Sequence, residues 1–86
     1  MNDAPRLEFP CAYPIKVLGD NSAGFTPAVL AAFGRLLGEA AFESSVRPSS
    51  GGRFVAVTVT ITATGPEQLA ALHEELKLID GVRLVL

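Results

Sequence analysis

Between Phe54 and Thr64 the chain reads FVAVTVTITAT, in which Val55, Val57, Val59, Ile61 and Ala63 alternate with Phe54, Ala56, Thr58, Thr60, Thr62 and Thr64. A period of two is the signature of a strand, because successive side chains leave a strand by opposite faces. Such strict alternation sends one face to a core and leaves the other open. The length of the run predicts a central strand. The rest of the chain must therefore supply neighbours on both edges and a layer that covers the valine face.

The neighbours can be read in turn. In YPIKVLG, Tyr13, Ile15 and Val17 alternate against Pro14, Lys16 and Leu18, which predicts a first strand with Pro14 near its start. GDNSAGFT reads as a loop, ending in Thr26 as a helix N-cap and Pro27 at the first helical position, where a missing N–H costs nothing. Val29, Leu30, Phe33, Leu36, Leu37 and Ala40 then make one apolar stripe at helical spacing. Gly34 and Gly38 weaken that helix by roughly 1 kcal/mol each relative to alanine. They read as places for close packing on the sheet, with Gly38 also a candidate end of the helix.

FESSVRP, Phe42 to Pro48, is a weaker strand whose polarity and terminal proline place it at an edge. PSSGG reverses the chain into the long strand, since glycine reaches positive φ at no steric cost. After it, Thr64 and Glu67 stand at capping-box spacing, with Gly65 the other candidate cap. Leu69, Leu72, Leu76 and Ile79 form a second helical stripe that Asp80 and Gly81 stop, and VRLVL is a last strand expected to turn Val82, Leu84 and Leu86 inward.

The order β-α-β-β-α-β is the split βαβ arrangement. Right-handed crossovers put both helices on one face of the sheet. The expected fold is an α+β, ferredoxin-like sandwich: a four-stranded antiparallel sheet in the order 4-1-3-2 beneath two helices. Residues 1–10, with Pro5 and Pro10, read as a flexible lead-in, and 11–86 as a single domain. A chain of 86 residues, 49% of them hydrophobic, has apolar material for a core. Domains this small sit near energetic balance and often add an interface, and a homodimer is one way to supply it.

Composition also narrows the functions. Cys11 is the only cysteine, which fits a reducing compartment. MNDAPRLEFP lacks the layout of a signal peptide, and no apolar run approaches the ~20 residues a membrane helix needs. The expectation is a cytoplasmic protein with no membrane association. A net charge of −2 disfavours a nonspecific nucleic-acid binder. An RNA-binding sheet of this topology wants aromatic side chains where Thr58 and Thr60 stand.

FPCAYPIKVLG (Phe9–Gly19), VRPSSGGRFVAVTVTITAT (Val46–Thr64) and EELKLIDGVRLVL (Glu74–Leu86) together resemble the small bacterial YbeD-like proteins, most specifically in the Arg-Pro-Ser-Ser-Gly block and the threonine-rich strand after it. The resemblance covers nearly the whole chain from Phe9. It implies a βαββαβ fold similar to ACT-type amino-acid-sensing regulatory domains and a link to lipoate metabolism. It supplies no catalytic residues.

Three stretches are candidates for function. Ser49, Ser50, Gly51 and Gly52 carry N–H and hydroxyl groups between Arg47 and Arg53, as an anion-holding loop would. A P-loop, however, needs a lysine after its second glycine and then a helix, whereas a strand follows here, so a plain turn is the reading adopted. GDNSAGF is similar to the Gly-Asp-x-x-Gly-aliphatic turn of ACT domains, which implies a ligand near Asp20, Asn21 and Gly24, although the spacing is one residue longer and Phe25 replaces the aliphatic residue. On the open sheet face, Thr58 and Thr60 should be joined by Lys16 and Arg83, with Glu43, Ser45 and Arg47 at the edge. Basic groups beside hydroxyls can receive an acidic partner or ligand, and threonine is equally at home on a solvated sheet.

Enzyme chemistry finds little purchase. His73, the sole histidine, borders the Leu69, Leu72 and Leu76 stripe, and one cysteine with one histidine is a poor start for a metal site. Glu74 and Glu75 are adjacent on a helix and point apart. The expectation is a non-enzymatic regulatory or adaptor domain that works by protein contacts and needs no cofactor or metal. The alternative is an ACT-like sensor of an amino acid or a lipoate-related compound. The interaction surface is then Lys16, Arg47, Ser49, Ser50, Arg53, Thr58, Thr60 and Arg83.

Overall fold

The computed structural model describes residues 8–38 and 40–86, so residues 1–7 of the expected lead-in lie outside the described residues. The elements run β1 (Cys11–Asp20), α1 (Phe25–Leu37), β2 (Glu43–Pro48), β3 (Phe54–Ala63), α2 (Pro66–Lys77) and β4 (Val82–Val85). One antiparallel sheet has the order β2-β3-β1-β4, the expected order read from the other edge. The fold is the ferredoxin-like βαββαβ sandwich. β1 and β3 pair along their whole length, from Cys11 opposite Ala63 to Asp20 opposite Phe54.

The periodicity of β3 becomes its packing. Val55, Val57, Val59, Ile61 and Ala63 are buried, as are Ile15 and Val17 opposite Val59 and Val57 on β1. Above them lie Val29, Ala32 and Phe33 of α1 and Leu69, Leu72 and Leu76 of α2. Burying each such side chain contributes about 1.5–3 kcal/mol. Among the described residues no polar or charged side chain is buried with them.

Several local expectations are corrected. The helix α1 begins earlier than Thr26: Gly24 is its cap, and the Ala28 N–H donates to the Gly24 carbonyl at 3.1 Å. Pro27 then sits in the first turn, where a backbone nitrogen has no helical acceptor and proline's missing N–H costs nothing. The shift makes Phe25 a core residue rather than part of a loop, 2% exposed. Ala40 lies past the end of α1 and is exposed; Gly38, at φ 65°, closes the helix. Space around Gly34 is open, so it marks no close packing. At α2 the cap is Gly65. The Thr64–Glu67 box does not form; instead the Thr64 N–H donates to Gln68 Oε1 at 2.8 Å.

The largest correction falls on β4. Leu18 stands opposite Leu84, but Gly19 stands opposite Val82, so a bulge leaves Arg83 as the extra residue. An extra residue resets the alternation. Val82 and Val85, three apart, both pack toward the core, while Leu84 and Leu86 turn out, 50% and 57% exposed. The expected inward Val82-Leu84-Leu86 set is overturned because it assumed unbroken alternation.

The other edge strand is covered on neither face. All of β2 is exposed, including Val46 at 48%, although Ser44 and Val46 share the side of Val59 and Val57. The helix layer stops short of it. Only Phe42, just before β2, reaches that layer, its ring 6.0 Å from that of Phe33.

Candidate functional site

The strand registers assemble the open face row by row. Glu43, Thr60 and Pro14 make one row; Ser45, Thr58, Lys16 and Leu86 the next; Arg47, Ala56, Leu18 and Leu84 the third. The Lys16–Leu86 pairing extends β4 by one residue, with backbone bonds of 3.1 and 2.8 Å in both directions. Phe54 ends the face beside Asp20. The face is thus divided. Toward β2 it is hydroxylic and charged; toward β4 it is apolar.

On the polar half, Lys16, Ser45, Arg47, Ala56 and Thr58 line a depression of about 240 Å³. Lys16 and Arg47 form no ion pair among the described residues. Thr60 lies one row on and shares a second depression with Glu43 and Thr62. On the apolar half, Leu18, Gly19, Phe54 and Leu84 line a recess of about 480 Å³ with Ser49 and Arg83 at its rim. Phe54 is 38% exposed there. Arg83 is separated from the other basic groups: its Nε donates to Asp20 Oδ1 at 3.0 Å and its Nη2 to Asp20 Oδ2 at 3.4 Å.

The two candidate loops lie against each other. Asn21 donates its backbone N–H to the Arg53 carbonyl at 3.0 Å and its side-chain Nδ2 to the Gly52 carbonyl at 2.9 Å. The hairpin closes on itself as well. The Ser49 N–H donates to the Phe54 carbonyl at 2.8 Å, Gly52 N–H to the Ser49 carbonyl at 2.9 Å, and Phe54 N–H to Ser49 Oγ at 3.1 Å. Gly51 and Gly52 carry positive φ, the turn role expected of them. Ser50 stands exposed at the tip and Arg53 beside the start of β3. The hydroxyl of Ser49 and the side chains of Asp20 and Asn21 are all engaged within the chain.

Phe25 explains why the turn around Gly24 departs from its aliphatic pattern. A Cβ on Gly19 would overlap the Phe25 ring and come within 2.6 Å of the Gly81 carbonyl oxygen. The ring therefore packs over Gly19, and Gly81, at φ 90°, lies beside both. An aliphatic side chain would leave part of that space empty. Gly24 itself, at the head of α1, is exposed with open space around it.

Residues 4–86 match the family described as "Protein of unknown function (DUF493)". The chain belongs to that family. Among DUF493/UPF0250 proteins, one from Azotobacter vinelandii is 46% identical over 87 residues, covering 96% of this chain and 92% of its own. A second, from Pseudomonas aeruginosa, is 45% identical over 84 residues, with 95% and 90% covered. The YbeD-like resemblance of the sequence agrees with this membership. Protein HP0495 from H. pylori, known from a solution structure, superposes with a TM-score of 0.79 at 14% identity, covering 98% of this chain and 89% of that one. The ACT domain from the GTP pyrophosphokinase of Chlorobium tepidum superposes at 0.62 and 16% identity, with 87% and 92% covered. These structural likenesses establish a shared fold.

Leu84, Leu86 and the apolar use of Leu18 and Phe54 were missed as site residues by sequence reasoning. Leu18 did carry a readable signal, because it alternates with Ile15 and Val17 and so had to leave the sheet on the open side. The remaining reactive side chains lie elsewhere. His73 Nδ1 is 3.0 Å from the Leu69 carbonyl of its own helix, Cys11 is half-buried at the start of β1, and Glu74 pairs with Lys77 at 3.3 Å. Among the described residues, no helix is long and apolar enough to cross a membrane.

Proposed function

We propose that this protein is a non-enzymatic regulatory or adaptor module that acts in the cytoplasm by protein contacts at its open sheet face. The carrying observation is the apolar patch of Leu18, Phe54, Leu84 and Leu86 beside Lys16 and Arg47. The fold does not require apolar side chains there, since the helices cover the opposite face. Exposed apolar patches with a polar rim are the usual mark of a protein contact. Lys16 and Arg47, which form no ion pair among the described residues, favour a partner with carboxylates flanking an apolar anchor, and would speed its encounter.

The test is a photo-crosslinking amino acid placed at Leu84 and, as control, at the exposed Ala71 on α2, each in living cells. Discrete adducts at position 84 and none at 71 are expected. Equal labelling at both, or none at 84, overturns the reading. The double variant Phe54→Ser, Leu84→Ser should lose those adducts when the crosslinker sits at Leu86, while melting as the parent does.

A second reading, an ACT-like sensor, is favoured by one observation: the recess of about 480 Å³ adjoins Asp20 and the hairpin. Arg83 and Asp20 at its mouth would then meet the charged groups of an amino acid, with Asn21 and Gly24 shaping the loop behind them. A thermal-shift screen with amino acids and lipoate-related compounds separates the two. Binding raises Tm by mass action. A compound that does so with a saturable response supports the sensor; a flat screen supports the contact module.

A further inference from the structure

We propose that the free edge of β2 pairs with β2 of a second copy of this chain, antiparallel and centred on Ser45, so that Glu43 lies opposite the partner's Arg47. This goes beyond the open-face reading: it uses the backbone edge of β2, and draws Arg47 of the open-face rim into the contact. β2 is the terminal strand of the sheet and pairs with β3 without a bulge from Glu43 to Pro48. β4, the other edge, is short and bulged, two devices that discourage further pairing.

The hydrogen-bond parity of β2 defines what the edge offers. The Ser49 N–H to Phe54 carbonyl bond makes 49 and 54 a bonded pair. Bonded and non-bonded pairs alternate in an antiparallel ladder. Arg47, Ser45 and Glu43 therefore bond inward to β3, and Ser44, Val46 and Pro48 direct their backbone groups to the free side. Pro48 has no N–H to give.

A two-fold contact places the same patch on both copies, and outward residues must meet outward residues. Centring on Val46 sets Ser44 opposite the partner's Pro48 and forfeits a donor at each end. Centring on Ser44 needs Phe42, which precedes the strand and packs on Phe33. Neither sets unlike charges opposite each other. Centring on Ser45 lets Ser44 and the partner's Val46 exchange both backbone bonds, twice by symmetry. It also places Glu43 across from the partner's Arg47 twice, at non-bonded positions where side chains come closest. Glu43 and Arg47 have no ion-pair partner among the described residues. The product is one eight-stranded sheet whose two open faces lie on the same side, presenting paired docking surfaces to a divalent partner.

Sedimentation at low salt should give a dimer for the parent chain. Arg47→Glu should weaken it about tenfold, and the exchange Glu43→Arg, Arg47→Glu should restore it, because the register pairs these positions with each other. All these side chains are exposed, so unchanged melting at a concentration low enough for every variant to be monomeric reports an intact fold. Ser45→Cys in a Cys11→Ser background should form a disulfide-linked dimer on mild oxidation, since non-bonded cross-strand positions suit that geometry. A parent chain that stays monomeric at about 0.1 mM, far above the Kd of stable dimers, overturns the proposal. So does a dimer indifferent to Arg47→Glu, or Ser45→Cys that remains reduced.

Discussion

The two faces of β3 are drawn from one stretch of backbone, yet they obey different rules. Its inner residues, Val55 to Ala63 at every second position, are sealed under two helices. Its outer residues, from Phe54 to Thr62, are exposed or half-buried, with no helix over them among the described residues. On the inner face a side chain is constrained by volume, because interiors are close-packed and a lost methylene is felt. On the outer face the fold tolerates almost anything of adequate β-propensity. The difference teaches where to look for function. Threonines at 58 and 60 are what a bare sheet needs, whereas Leu84 and Leu86 turned outward are not explained by folding.

The largest effects should fall at one end of the closed face, where Phe25 packs over Gly19. Phe25→Ala should cost about 3–5 kcal/mol, the range for a buried phenylalanine. Gly19→Ala should cost about 1–3 kcal/mol through overpacking, because the Gly81 carbonyl cannot move aside as a side chain could. Urea denaturation of Gly19→Ala, of Phe25→Leu and of the double variant Gly19→Ala, Phe25→Leu closes a cycle. A smaller ring-free side chain should recover part of the Gly19→Ala loss, giving a coupling well above the scatter of independent sites. Strict additivity would mean that the ring and the glycine do not share that space.

That same corner shows what could be read from the chain and what could not. The strand pairing, the sheet order and both helical stripes follow from periodicity, because period two and period 3.6 record which face meets the core. Phe25 was legible only as part of a loop and Gly19 only as the join of strand and loop, since packing of a ring over a glycine leaves no periodic trace. β4 was misread for a similar reason. In VRLVL apolar residues occupy both parities, so the pattern fits either face until the bulge at Arg83 selects one. The candidate site inherited that ambiguity. Lys16, Arg47 and Thr58 are brought together by register, while Asp20 and Arg83, read as separate features, form one ion pair.

The comparison between faces sharpens with matched truncations at neighbouring positions of β3. Val59→Ala removes a fully buried pair of methyl groups and should cost about 1.5–3 kcal/mol from lost transfer energy and the cavity left behind. Thr58→Ala, one residue away on the other face, should stay within about 0.5–1 kcal/mol, most of it β-propensity. Chemical denaturation with matching m-values checks the pair. Comparable losses would mean that the outer face is covered in solution, as a closely held second copy or partner would cover it.

The smallest effect should come from the link between β1 and β4 at the edge of the apolar recess. Asp20 and Arg83 are joined at 3.0 Å, but their side chains remain 43% and 64% exposed. Water and salt screen such a pair, and exposed pairs contribute about 0–1 kcal/mol. Asp20→Asn should therefore lower stability by less than about 1 kcal/mol at low ionic strength, and by nothing measurable near 1 M salt, where the Debye length falls to about 3 Å. Arg83→Ala should match it in size and in salt dependence if the ion pair is all that either residue contributes. A larger loss for Arg83→Ala that persists in salt would assign its aliphatic stem a packing role over Leu84, since long basic side chains often cover apolar surface with their methylenes. The apolar half of the open face would then be partly roofed by its own chain, and the contrast with the closed face would be one of degree.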